Sequence, residues 1–172
     1  MTLIDDIGWQ LLRDLQRNAR LPFAELGRRV GLSLPAVAER VRRMEELGII
    51  EGYRAEVSAE LIGLPLMVFI QLKASANFYT KLVQQVEHMP EILECHHITG
   101  VDSFIIKAAV RSKEHLAEII CSLSPFGPTT TSLVLSTPIS NRVLEHRAEL
   151  NGGVHSNGAL NGASNGAKAS SR

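Results

Sequence analysis

Cysteine, tryptophan and long apolar runs are all scarce in this 172-residue chain. Its two cysteines, Cys95 and Cys121, lie in apolar-looking segments without a C-x-x-C spacing, which predicts buried reduced thiols rather than a disulfide or a metal site. No apolar run approaches the ~20 residues that span a bilayer. The N-terminus carries Asp5 and Asp6 without a basic segment, so no signal peptide is expected there. The expected location is cytoplasmic, with no membrane partner. Net charge is also missing, since 18 Lys+Arg offset 18 Asp+Glu. That balance weighs against a polyanion binder, because phosphate neutralisation supplies most non-specific nucleic-acid affinity. What remains is an ordinary globular composition, 45% hydrophobic and 21% charged, enough to build one domain or two small ones.

Lysine is absent before Lys73, and the basic residues ahead of it are all arginine, whose planar fork suits phosphate and base edges. Between Arg28 and Arg43 stand Arg28, Arg29, Arg40, Arg42 and Arg43 against one acid, Glu39. The distribution of charge therefore says more than its total. An arginine-rich helix pair is also compatible with a merely solvated face, and charge alone leaves both readings open.

Helical periodicity fills the first sixty residues. Ile4, Ile7, Leu11, Leu12 and Leu15 form one stripe, with Asp5 or Asp6 near the positive end of the helix dipole. A second helix begins near Pro22, turns Phe23, Leu26 and Val30 inward, and stops at Gly31. Ser33 can cap a third helix whose inner stripe is Val37, Val41, Met44 and Leu47. Gly48-Ile49-Ile50-Glu51-Gly52-Tyr53 then reads as a short extended wing. The order predicts a winged helix-turn-helix over residues 1–57, with the motif at 23–42 and double-stranded DNA as partner.

At 100° per residue, Pro35, Ala38, Glu39, Arg42 and Arg43 lie broadly opposite the inner stripe, with Ala36 at its edge. Ser33, Pro35, Ala36, Glu39, Arg42 and Arg43 are the candidate DNA contacts. Arg40 falls beside the stripe instead, and is expected to support the helix pair through an acid such as Asp6 or Glu25. No Asn or Gln on this face suits bidentate adenine reading, so sequence preference should come partly from DNA shape.

After a hinge at 58–65, strand-like and helix-like stretches alternate. Leu66 to Ala74 is a strand with one buried face, and a helix follows with Leu82, Val83, Val86 and Met89 inward. Ile92 to Thr99 and Phe104 to Val110 are strands joined by the Gly100-Val101-Asp102-Ser103 turn. A helix carrying Leu116, Ile119, Ile120 and Leu123 precedes a last strand, Thr131 to Thr137. The order β-α-β-β-α-β over 66–145 predicts an α+β chain whose second domain is ferredoxin-like. Met67, Phe69 and Ile105 alternate outward from that sheet, and a second copy of the chain would cover them. Residues 150–172, rich in Asn, Gly and Ser, predict a disordered tail.

The chain resembles the Lrp/AsnC, or feast/famine, family of transcriptional regulators. The resemblance rests on Asp6, Asn18-Ala19-Arg20, Glu25-Leu26-Gly27, Val30-Gly31-Leu32-Ser33, Val37-Ala38-Glu39-Arg40-Val41, Glu45-Glu46-Leu47-Gly48-Ile49-Ile50 and Gly52-Tyr53-Arg54-Ala55. Glu94-Cys95-His96, Ile98-Thr99-Gly100 and Asp102 extend it into the second domain. It covers about residues 3 to 145. The resemblance implies a dimer made through the sheet domains, assembling further into tetramers or octamers, and a small effector such as an amino acid. Carried over to this chain, the effector site is Gly100 and Asp102, with Thr99 and Ser103. The turn here is Gly-x-Asp rather than Gly-x-x-Asp, one residue tighter. Asp102 is equally readable as a turn residue bonding its own backbone.

Rival readings remain at this stage. His88, His96 and His97 with Cys95 suggest a metal, but adjacent strand residues point to opposite faces, so no metal and no cofactor are expected. A sirohaem-type tetrapyrrole decarboxylase shares the architecture, yet it carries a His-, Arg-, Tyr- and Trp-rich second domain, whereas the one tryptophan here, Trp9, lies in the first helix. A ligand sensor that does not bind DNA is the third reading. The expected function is a sequence-tolerant DNA-binding regulator, not an enzyme.

Overall fold

The computed structural model describes residues 4–100 and 103–146. The predicted tail at 150–172 lies outside them, as does Asp102. The chain divides into two compact units, one running to Arg54 and resuming at Asn141, the other Ala55–Ser140.

The first unit contains α1 (Asp6–Arg17), α2 (Phe23–Val30) and α3 (Leu34–Glu46). Asp5 caps α1, its carboxylate accepting from the Gly8 N–H at 2.9 Å. Leu11, Leu12, Leu15, Leu26, Val37, Val41 and Met44 make the core, as the i, i+3, i+4 spacing of apolar residues requires. Two glycines end helices in left-handed geometry. Gly31 (φ 71°) closes α2 while the Leu32 N–H reaches the Gly27 carbonyl. Gly48 (φ 68°) closes α3, with Gly48 and Ile49 N–H groups bonding the Glu45 and Met44 carbonyls, a Schellman ending.

Three expectations for this unit change. Phe23 and Leu47, both assigned inward, are 37% and 53% exposed, because each stands at a helix end where the stripe has turned off the core. The wing has no strand: residues 49–57 form no ladder, and Ile49 and Ile50 instead pack against the helical core. Tyr53 donates to the Glu45 carboxylate at 2.8 Å, and burial together with that carboxylate pushes its phenol up to about 12. Finally, Asn141–His146 belongs with the helices. The Gln16 side-chain amide donates to the Leu144 carbonyl at 3.0 Å and accepts the Leu144 N–H at 2.8 Å. The His146 ring lies against Trp9.

The second unit is a four-stranded antiparallel sheet in the order β2-β3-β1-β4, from β1 (Leu66–Leu72), β2 (Ile92–His97), β3 (Phe104–Val110) and β4 (Thr129–Leu133). With α4 (Tyr79–Glu87) and α5 (Lys113–Leu123) it completes the ferredoxin-like order. Val68, Ile70 and Leu72 face Phe104, Ile106, Ala108 and Val110, and Leu82, Val86, Ile119 and Leu123 of the helices close over them. The opposite face exposes Phe69 and Gln71, beside half-buried Met67, Ile105 and Lys107.

β4 begins two residues earlier and ends four residues earlier than the sequence suggests. Its register against β1 pairs Leu133 with Val68, and the Val134 N–H still reaches the Met67 carbonyl. Beyond that the ladder stops although β1 continues to Leu66. Of the cysteines, Cys95 packs on the core and burial raises its thiol pKa, whereas Cys121 is exposed on α5 rather than buried. His96 and His97 do diverge: His96 meets Glu94 at 3.1 Å and His97 stacks on Phe104. Among the described residues no group of three or more His, Cys, Asp or Glu side chains could hold a metal ion. No described helix is long and apolar enough to cross a membrane.

Candidate nucleic-acid interface

The turn between α2 and α3 is set by Gly27. A Cβ there would stand 2.4 Å from the Leu32 carbonyl oxygen, so only glycine lets the turn backbone come this close to α2. α3 then starts at Ser33, whose backbone is extended as a cap should be. Its hydroxyl makes no capping bond, contrary to expectation, and Pro35 in the first turn needs no partner for a missing N–H.

With Val37, Val41 and Met44 buried, the rest of α3 faces outward. Ser33, Pro35, Glu39, Arg42 and Arg43 are exposed and Ala36 is half-buried at the edge. The candidate contacts therefore share one accessible face. Arg40 is half-buried and turns toward α1, where its Nη1 bonds both oxygens of Asp5 at 2.8 Å. The expected partners were Asp6 or Glu25. Asp5 takes that place because the N-cap carboxylate projects from the start of α1, while Glu25 is occupied by Arg28 and Arg29 on its own helix. The Gly8 N–H and then Arg40 hold the Asp5 carboxyl below its ordinary value.

Arg42 is more tightly engaged than its exposure suggests. Its Nε and Nη2 donate to both oxygens of Glu39, Nη2 at 2.7 and 2.8 Å, and its Nη1 donates to Glu46. Glu39 lies three residues before Arg42 and Glu46 four after it, the spacings that bring side chains together on a helix. Each partner shifts the other, with Glu39 lowered by Arg42 and Arg42 raised by Glu39 first and Glu46 second. Arg28 pairs with Glu25, and Arg29 with Glu25 and Asp14. Among the described residues, Arg43 alone of the five arginines has no carboxylate within ion-pair distance. The strongly positive segment in the sequence is thus largely neutralised in three dimensions. The Glu39 and Glu46 spacings carried a readable signal of this, but Asp5 and Asp14 are too distant in sequence to have done so.

At the β2–β3 connection the Ile98 N–H reaches the Ser103 carbonyl at 2.9 Å, and Gly100 has φ 121°. Thr99 and Gly100 are exposed. Ser103 is half-buried and its hydroxyl donates to the Ala74 carbonyl at 2.8 Å, which fixes the turn to the end of β1. Asp102 lies outside the described residues, so the structure brings together three of the four candidate effector residues.

Comparison with known proteins follows the same two-part division. Residues 4–45 match the AsnC-type helix-turn-helix domain, and residues 67–144 match the Lrp/AsnC ligand binding domain. The HTH-type transcriptional regulator LrpC of Bacillus subtilis is 32% identical over 133 residues, covering 77% of this chain and 92% of the relative. The solved structure of B. subtilis LrpC superposes with a TM-score of 0.77 over 81% of this chain and 99% of that one. A transcriptional regulator from Neisseria meningitidis, NMB0573, solved in complex with L-Met, gives a TM-score of 0.78 at 26% identity over 85% of this chain and 99% of that one. With an arginine-bearing helix-turn-helix ahead of a four-stranded α+β unit, and relatives alike over both parts, this chain belongs to the Lrp/AsnC family of transcriptional regulators.

Proposed function

We propose that the protein is a sequence-tolerant DNA-binding regulator in which the outer face of α3 lies in the major groove and the sheet unit governs assembly and effector response. The observation that carries this reading is the common exposure of Ser33, Pro35, Glu39, Arg42 and Arg43 on one side of a helix whose other side is fully committed to the core. Small residues at the start of the helix permit close approach, and the uncapped Ser33 hydroxyl is available to a phosphate. Arg42 and Arg43 supply the charge, and Arg40 supports the helix from behind through Asp5. The scarcity of base-reading side chains favours recognition through DNA shape and bending.

The sheet face bearing Phe69, Met67 and Ile105 pairs with the same face of a second copy, and such dimers can assemble further. An isologous contact covers an apolar surface on both chains at once and presents two α3 helices with two-fold symmetry. A small effector, of the amino-acid class, binds at Thr99, Gly100, Asp102 and Ser103. The support for that class is the neisserial relative, which was solved with methionine. Thr99 and Gly100 are exposed at the turn, and Ser103 anchors it.

The double variant Arg42→Ala/Arg43→Ala tests the interface. Binding to duplex DNA is expected to weaken on every sequence, with the salt slope falling by roughly one per arginine removed per bound protomer, and the oligomer unchanged. Unaltered binding would remove α3's outer face from the DNA. A thermal-shift screen of the amino acids tests the effector class, since a ligand selective for the folded protein raises its apparent stability.

A further inference from the structure

Four of the five arginines between Arg28 and Arg43 are matched by carboxylates, but only Arg42 is matched by acids on the DNA-facing side itself. Arg29 and Arg40 are drawn toward α1 by Asp14 and Asp5, and Arg28 is held along α2 by Glu25. Arg42 remains outward, 57% exposed, with all three of its guanidinium nitrogens donating to Glu39 and Glu46, themselves 63% and 58% exposed. A carboxylate that only steadied the helix would do so anywhere on the surface. Two of them bracketing an arginine on the face meant for a polyanion carry a cost in affinity, because each repels phosphate and each occupies donors that phosphate would use.

We propose that Glu39, assisted by Glu46, is a selectivity residue that latches Arg42 and lowers affinity for arbitrary DNA. This rests on the reading that α3's outer face contacts DNA. A phosphate or base edge must displace or share the carboxylates to engage Arg42. A duplex whose groove places acceptors well on the free Nη donors compensates for that exchange, and one whose groove does not gains less from Arg42. Glu39 holds the Nε/Nη2 edge in the two-point geometry that a carboxylate favours, so the remaining donors on Nη1 and Nη2 point in a defined direction instead of sweeping the surface. The latch is in keeping with a chain whose overall charge is zero. Weak attraction to bulk DNA leaves binding dependent on paired helices and on groove shape.

The test is a mutant cycle on the full chain, binding a random-sequence duplex three helical turns long, followed by fluorescence anisotropy over a range of salt. Glu39→Gln keeps the side chain's size and removes its charge. It is expected to tighten binding about five-fold, the order expected for releasing one exposed ion pair, and to steepen the salt slope by up to about one per protomer. In the Arg42→Ala background, where only the repulsion from an unpaired carboxylate is relieved, the same substitution is expected to tighten binding clearly less than in the parent. Glu46→Gln should act in the same direction and more weakly, since it engages a single nitrogen. Equal tightening in both backgrounds would mean that Glu39 acts only as a diffuse charge, and would overturn the latch. So would an unchanged affinity for Glu39→Gln while Arg42→Ala still weakens binding. If Arg42→Ala itself binds like the parent, the failure lies one step earlier, in the placing of α3's outer face on DNA, and the latch falls with it.

Discussion

The outer face of α3 and the outer face of the sheet are both open, and they expose opposite chemistry. The helix presents Arg42, Arg43, Glu39 and Glu46, while the sheet presents Phe69 at 40% exposure beside half-buried Met67 and Ile105, with exposed Gln71 and the Lys107–Glu94 ion pair around that apolar centre. A charged face is well solvated alone and gains only from a partner that can replace water as a ligand for its charges. An apolar face is unfavourable in water by roughly 25 cal/mol for each Å² left exposed, and any dry complementary surface relieves it. Two such faces on one chain suit two kinds of partner, a polyanion for the helix and, on the pairing proposed above, the same sheet face of a second copy. The first contact would be strongly salt-sensitive, and the second, centred on Phe69, Met67 and Ile105, less so.

The strongest way to break that contrast is to place a charge on the sheet. Phe69→Asp puts a carboxylate at the centre of the apolar face, opposite Lys107 of β3 and away from the internal core. In a symmetric pair it brings two such charges together, and loss of a central aromatic anchor costs at least about 2 kcal/mol. The dimer dissociation constant is expected to rise by at least about thirty-fold. On the proposed pairing, sedimentation velocity should find a dimer for the parent and monomer for the variant, with an unaltered circular dichroism spectrum. DNA affinity should then drop with loss of bivalency even though α3 is untouched. A dimer of parental affinity would show that the copies pair elsewhere.

The two faces also differ in how much of them the sequence discloses. Periodicity 3.6 placed Arg42 and Arg43 outward and Arg40 beside the core, and the strand alternation placed Phe69 outward. Both are properties of a single element, and a single element's pattern is local. Partners are not local. Arg40 meets Asp5 across 35 residues, and Gln16 meets Leu144 across 128, pairings that depend on how helices and returning chain are laid side by side. β4 differs from its sequence expectation for a related reason, since where a ladder stops depends on the course of both chains and Thr-Ser-Leu-Val-Leu contains no mark of that. Leu47 and Phe23 followed the helical stripe correctly but stand at the ends of helices, where the core no longer lies beneath them. The Glu39–Arg42–Glu46 set was written in the spacing and became visible only once the acids were weighed together with the arginines. Of the effector turn, Thr99, Gly100 and Ser103 lie together at the β2–β3 connection, while the role of Asp102 remains a proposal.

A smaller substitution sharpens the contrast from the helical side. Gly27→Ala adds a Cβ 2.4 Å from the Leu32 carbonyl oxygen, a backbone atom that cannot rotate away. The α2–α3 turn must open, at a cost of about 2 kcal/mol for overpacking a tight site. Chemical denaturation of the first unit should show that loss. α3 is carried by this turn, so DNA affinity should fall too, while the sheet-mediated dimer is unaffected. A parental denaturation midpoint would show that the turn accommodates a side chain.

The smallest effect concerns the support behind α3, and its pH dependence has a definite sign. Asp5 accepts from the Gly8 N–H and pairs with Arg40, and both favour the ionised carboxylate, so its folded pKa lies below the ordinary 3.8. A depressed carboxyl contributes stability that is present in full above the unfolded value and is lost as pH falls through the folded one. The side chain is 55% exposed, so solvent screening keeps the charge contribution small. Asp5→Ala removes cap and charge together and is expected to cost about 1 kcal/mol at neutral pH. Asp5→Asn retains an oxygen for the Gly8 N–H and removes only the attraction to Arg40, so it should cost less. The two variants therefore divide the residue's contribution. The deficit of Asp5→Asn should shrink as pH drops from 3.8 through the lower folded value, where the parent's own carboxyl becomes neutral. A deficit that persisted unchanged into acid would mean that the ion pair contributes nothing, and that Asp5 steadies α1 solely as a cap while Arg40 holds α3 through its packed stem.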